Sequence, residues 1–155
     1  MNPSVIAALE TAIAAEIAAA DLYAQLAGAA TSETTKSLFS SLTADEKRHR
    51  QLLEKQYAAD AGKAYLAGPV RQLRFPTDAR DLLWPAALTL AINGEMDAHD
   101  AYSKCVAQVT DPQAKALYQQ LVDDEAGHRK LLEAEYAARQ GHPFSDTELE
   151  TWVRE

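Results

Sequence analysis

One cysteine, Cys105, stands among 155 residues. That is too few for an internal disulfide, a CxxC pair or a thiolate-based metal ribbon. Glycine and proline are scarce, six of each, and β-branched runs are missing, which argues against a strand-and-turn fold. Positive charge is short as well. Fifteen Lys and Arg against 23 Asp and Glu leave a net charge of −8, so no nucleic-acid partner is expected, since that would need a basic stripe. Long apolar runs are absent too. Residues 1–20 have no basic start, and Glu10 and Glu16 interrupt the apolar stretch. Neither a signal peptide nor a membrane span is expected, and the chain reads as a soluble, cytoplasmic protein.

What the chain does hold is alanine, leucine, glutamate, glutamine and lysine, the residues that give up least on entering a helix. Four long helical segments follow. The first opens at Asn2-Pro3, an N-cap followed by proline, and runs to about Gly28. The second starts near Thr31 or Ser32 and reaches Gly62, a C-cap. The third begins between Asp81 and Pro85 and lasts to about Val109. The fourth opens at Asp111-Pro112 and ends near Gly141. Ser145 and Glu148 have capping-box spacing, so a short C-terminal helix is expected in the tail, 142–155. Short links make each helix pair an antiparallel hairpin, while the crossover at 63–81 is long enough to run the length of a bundle. The expected fold is all-α, a ferritin-like four-helix bundle in one domain spanning 1–155.

A shift of 79 residues superposes the two hairpins, 3–62 on 82–141, without a gap. Glu16 meets Glu95, Asp21 meets Asp100 and Tyr23 meets Tyr102. A dense block follows, in which Asp45-Glu46 meets Asp124-Glu125, His49 meets His128 and Gly62 meets Gly141. The matched leucines, such as Leu42 with Leu121 and Leu53 with Leu132, fall at helical spacing and read as core.

The ionisable residues do not read as core. Glu16 lies on an apolar face between Ile13, Ala19, Ala20 and Tyr23, and Glu95 lies among Leu88, Ala91, Ile92 and Tyr102. A buried carboxylate must be neutralised or bound to a cation, and neither stripe contains Lys or Arg. Glu46-x-x-His49 and Glu125-x-x-His128 each place two ligands on one helical face, a turn apart. One such motif is common by chance. Two in register with two buried glutamates form the constellation of di-iron and di-manganese carboxylate proteins. Four carboxylates balance two divalent ions. Oxygen-rich ligation with one imidazole per ion favours two iron ions, with manganese the second choice.

Neighbouring residues carry further expectations. Tyr23 and Tyr102 follow the glutamates by seven residues and are placed to hydrogen-bond a ligating carboxylate. Asp21/Asp100 and Asp45/Asp124 also recur; one pair is a candidate to orient an imidazole, with surface charge the equal alternative. His99 breaks the repeat against Ala20, four residues after Glu95; it reads as a boundary histidine, with a proton shuttle or an extra ligand as the sharper alternatives. The basic residues around His49 and His128 read as solvated faces. Leu149, Trp152 and Val153 in the tail are candidates for binding lipid or a partner subunit.

On these residues, the chain resembles the rubrerythrin branch of the ferritin-like superfamily. The resemblance covers about 1–141 and rests on Glu16 with Tyr23, Glu46-x-x-His49, Glu95 with Tyr102, and Glu125-x-x-His128. It implies a carboxylate-bridged di-iron site reacting with hydrogen peroxide or dioxygen and re-reduced by an external electron donor. Glu46 and Glu125 would bridge the ions, with Glu16 and His49 terminal on one and Glu95 and His128 on the other. Two departures stand out. A single cysteine leaves no rubredoxin-like domain expected, and position 98 is Ala where rubrerythrins carry an extra glutamate. The expected activity is peroxidase or ferroxidase chemistry in a homo-oligomer, a dimer. The rival readings are an oxygenase of an organic substrate and a non-catalytic iron-binding or storage module.

Overall fold

The computed structural model of the chain describes residues 3–69 and 80–145, with the backbone alone at 80–83. It is built from four helices: α1 (Pro3–Ala29), α2 (Glu33–Ala61), α3 (Arg80–Gln108) and α4 (Pro112–Gln140). Their ends follow from local chemistry. Ser32 is extended and its hydroxyl accepts from the Thr35 backbone N–H at 3.2 Å. Asp111 caps α4 in the same way through Ala114, at 3.1 Å, and Pro112 follows where no N–H is required. Gly62 and Gly141 end α2 and α4 in the left-handed region, at φ 71° and 76°. A side chain there would be strained, which explains why glycine recurs in both halves.

One boundary differs from the sequence expectation. Helix α3 already begins at Arg80 and carries Pro85 inside it. Proline forfeits one backbone hydrogen bond there, but the adjacent Trp84 is buried, packs its ring 5.6 Å from that of Phe39 and lies 3.9 Å beneath the Arg139 guanidinium. Packing against α2 and α4 outweighs the local signal. The Asn2 cap and the tail helix after Ser145 lie outside the described residues.

Helix α1 packs chiefly on α2 and α3 on α4, while the hairpins meet through α1 with α3 and α2 with α4. Both of these contacts are antiparallel: Tyr23 reaches Glu95 while Tyr102 reaches Glu16, and Asp45 reaches His128 while Asp124 reaches His49. Helices α2 and α3 therefore run parallel on the bundle's diagonal, and the link between Ala61 and Arg80 joins opposite ends. The core divides into two apolar clusters. One holds Tyr23, Phe39, Leu42, Trp84 and Leu132; the other holds Leu9, Ile13, Leu53, Tyr102 and Tyr118. The buried acids and histidines occupy the band between them.

Leu42 is 1% exposed, whereas Leu66 in the link is 87% exposed. Leu42→Ala is expected to cost about 2–5 kcal/mol of unfolding free energy, and Leu66→Ala to change it by less than about 0.5 kcal/mol. Urea denaturation followed by circular dichroism measures both.

Candidate metal centre

Six side chains converge in that band. Glu16 comes from α1, Glu46 and His49 from α2, Glu95 from α3, and Glu125 and His128 from α4, and none is more than 5% exposed. The helical period brings each Glu-x-x-His pair onto one face, and the two-fold repeat sets the pairs opposite each other. His49 Nδ1 lies 3.0 Å from Glu125, 3.3 Å from Glu46 and 3.7 Å from Glu16. His128 Nδ1 mirrors this, at 3.0 Å from Glu46, 3.4 Å from Glu125 and 3.6 Å from Glu95. The imidazoles face one another with centroids 5.6 Å apart.

The opposite ring nitrogens are fixed from outside. His49 Nε2 lies 3.0 Å from Asp124 Oδ2, and His128 Nε2 lies 3.0 Å from Asp45 Oδ2. An ionised carboxylate only accepts, so each Nε2 carries the hydrogen and each Nδ1 is turned inward. Those Nδ1 atoms are near carboxylate oxygens yet aligned with none as hydrogen bonds, and Glu46 Oε1, Glu95 Oε2 and Glu125 Oε1 are likewise unpaired. Buried polar atoms normally find partners. Atoms that converge without pairing are arranged as ligands are, and among the described residues no Lys or Arg lies within ion-pair reach of the four glutamates. Two sets have one ligand atom per residue within 4.8 Å of one another: Glu16, Glu46, His49 and Glu125, and Glu46, Glu95, Glu125 and His128. Glu46 and Glu125 belong to both. The donor set is oxygen-rich with one imidazole per group, which fits hard or borderline divalent ions.

The surrounding residues sort themselves by contact. The Tyr23 hydroxyl donates to Glu95 and that of Tyr102 to Glu16, each across to the facing helix. Seven residues rise about 10 Å along a helix, so the glutamate on the tyrosine's own helix is out of reach. Asp45 and Asp124 are the pair that holds the imidazoles. Asp21 instead accepts from Gln25 at 2.8 Å, and Asp100 is 75% exposed beside His99. His99 lies outside both ligand groups; it lines a cleft between α3 and α4 that reaches Glu95 and Glu125.

Two features escaped the sequence reading. Arg48 touches Asp45 at 3.0 Å and reaches within 3.9 Å of Asp124, tying together the two aspartates that orient the rings. Its counterpart in the repeat is Gly127, so self-similarity gave no signal for it. A cleft between α1 and α3 also opens onto the glutamates, lined by alanines and Gly94. The small residues matched across the repeat were the available clue.

The chain is similar to known proteins in sequence and in fold. The rubrerythrin family model matches residues 7–80. A hypothetical protein from Pyrococcus furiosus superposes with a TM-score of 0.75 at 27% identity, covering 89% of this chain and 91% of the other. A bacterioferritin from Rhodobacter capsulatus, described as having a metal-free dinuclear site and haem iron, gives a TM-score of 0.69 at 21% identity, covering 90% and 88%. The last likeness is one of fold alone. No curated protein sequence matched significantly.

Burial and crowded negative charge together set the electrostatics at the cluster. Burial, with Glu46 close by, pushes Glu16 up to about 7. Burial and the Glu125 carboxylate push Glu95 up to about 8 in spite of His128. Burial opposes protonation of His49, but Glu125, Glu16 and Glu46 outweigh it and raise the ring to about 12. His128 is raised in the same way, chiefly by Glu125. Glu125 is held low because the two imidazoles outweigh its burial. In the metal-free protein, protons on these rings and acids thus stand in for cations.

The raised groups bind protons more tightly folded than unfolded, where Glu titrates near 4.5 and His near 6.5. Their contribution to stability is complete below those values and is lost as pH climbs through about 7 to 8 for the acids and toward 12 for His49. Metal-free protein is therefore expected to melt at progressively lower temperature as pH rises from about 5 to about 9. Calorimetric melting curves across that range check this; a rising or level midpoint contradicts the proton-for-cation account.

Proposed function

We propose that this chain, which is similar to the rubrerythrin family over residues 7–80 and shares the ferritin-like fold, holds two iron ions between its four buried glutamates and two histidines and uses them to reduce hydrogen peroxide or dioxygen. The observation that carries this reading is the pair of overlapping ligand groups, each with four atoms within 4.8 Å, that share Glu46 and Glu125. Two divalent ions would neutralise four carboxylates, removing the charge that otherwise forces protons onto the site. Iron fits the oxygen-rich set, with manganese the alternative. Bound iron supplies the electrons for reduction of the oxidant, and an external donor restores them.

The protein's own part is positional. Glu46 and Glu125, on facing helices, belong to both ligand groups and would help hold both ions. Glu16 with His49 and Glu95 with His128 would each complete one group. Asp124 and Asp45 fix the ring tautomers, leaving each Nδ1 free to ligate. Tyr23 and Tyr102 each donate to a terminal glutamate from the opposite helix, restraining its free rotation. The apolar clusters on either side keep bulk water off the ligands and strengthen every charge interaction among them.

Anaerobic loading is expected to give two Fe(II) per chain. Glu46→Ala combined with Glu125→Ala is expected to lose both ions, as elemental analysis would report. Full metal in that double variant would overturn the assignment. With the unchanged protein, peroxide or dioxygen added to the Fe(II)-loaded form should raise the ferric absorbance faster than it does for free Fe(II). Peroxide as the faster oxidant supports a peroxidase, and dioxygen supports a ferroxidase. No acceleration with either leaves a binding module and contradicts the redox reading.

A further inference from the structure

The cluster is reached by two clefts of opposite character. Between α3 and α4 lies a polar one of about 350 Å3, edged by His99, Asp100, Arg129 and Lys130. Between α1 and α3 lies a half-open cleft of about 240 Å3 walled by Ala15, Ala19 and Leu22 from α1 and by Leu90, Gly94 and Ala98 from α3. Its floor is the four glutamates. The walls are small at positions matched by the 79-residue repeat, Ala15 with Gly94 and Ala19 with Ala98, so both helices withhold side chains from the same space. Nothing within 4 Å would meet a Cβ added at Gly94. Glu95, which is 3% exposed, lines this floor, and its Oε2 has no hydrogen-bond partner.

We propose that the α1–α3 cleft binds a neutral, single-ring organic molecule against the carboxylate cluster. Size argues for a ring, since an apolar cavity of about 150 Å3 accepts benzene, and two metal ions would occupy only a small part of the space here. Charge argues for neutrality. No Lys, Arg or His lines this cleft to hold an anion. Once cations neutralise the acids of its floor, nothing remains to hold an organic cation. The Tyr23 hydroxyl is engaged with Glu95, so the walls offer contact and shape rather than hydrogen bonds. A second copy of the chain is a poor occupant. Leu90 is the one large hydrophobic residue markedly exposed at the rim among the described residues, whereas a stable interface covers about 800 Å2 per partner.

The proposal deepens the metal reading but rests on it only for the neutral floor. Indole serves as the probe, titrated calorimetrically into protein as isolated, with metal content determined on the same samples. Saturable binding of one indole per chain is expected. Gly94→Leu, which fills the cleft at an open position and gains helix propensity, should weaken it at least tenfold. Gly127→Leu on α4, equally open but outside the cleft, should leave it unchanged. Absence of saturable binding to the unchanged protein overturns the proposal, as does equal weakening by both variants. A dimer that Gly94→Leu splits into monomers by sedimentation would show a second copy covering the cleft, and also overturns it. Metal without indole binding defeats only this inference; indole binding to a chain that takes up no metal defeats only the metal reading.

Discussion

Everything in this molecule answers to the mutual repulsion of four carboxylates held out of water. Glu16, Glu46, Glu95 and Glu125 are buried with no lysine or arginine in reach among the described residues. Burial penalises each charge and proximity penalises each pair. The fold tolerates this because protons can be taken up from solution on His49, His128 and the raised glutamates, a demand that the proposed metal ions would also meet. Helix length serves the same constraint. Each rod continues well beyond its ligands in both directions, so that apolar clusters on either side stabilise a band that cannot stabilise itself.

Much of this was legible in the chain. The 79-residue shift exposed two copies of one hairpin, and the long link between them set the topology. Periodicity marked Glu16 and Glu95 as acids on apolar faces, and the register of the two Glu-x-x-His motifs supplied their company. What sequence left open was contact between helices. Asp45 and Asp124 could not be separated from Asp21 and Asp100, because all four recur in the repeat. Only the antiparallel packing of α2 on α4 puts Asp45 at His128 and Asp124 at His49. The tyrosines illustrate the same limit. Their spacing placed them on the glutamate's face, but their bonds go to the facing helix, at a level fixed by how α1 and α3 cross. Sequence alone puts the start of α3 between Asp81 and Pro85, because Pro85 is a local signal. The packing of Trp84 on Phe39 and Arg139, which goes with the early start at Arg80, is not local.

The repeat is dense around the ligands, at 45–54 and 124–133, yet it is broken at a few positions beside them. The six converging acids and histidines, their tyrosines and their aspartates are identical in the two halves, as the proposed pair of equivalent metal positions would require. Some of their neighbours differ. Lys47 of the first half becomes Ala126 in the second, Gln51 becomes Lys130 and Ala20 becomes His99. All three second-half residues line the polar cleft between α3 and α4. The α1–α3 cleft, by contrast, is lined from both halves at once and stays apolar. Where the halves agree they repeat the converging side chains, and where they differ one of the two clefts becomes polar. A side chain as long as Lys47 at position 126 would fall in the polar cleft, so the loss of bulk there on α4 helps keep that approach to Glu95 and Glu125 open.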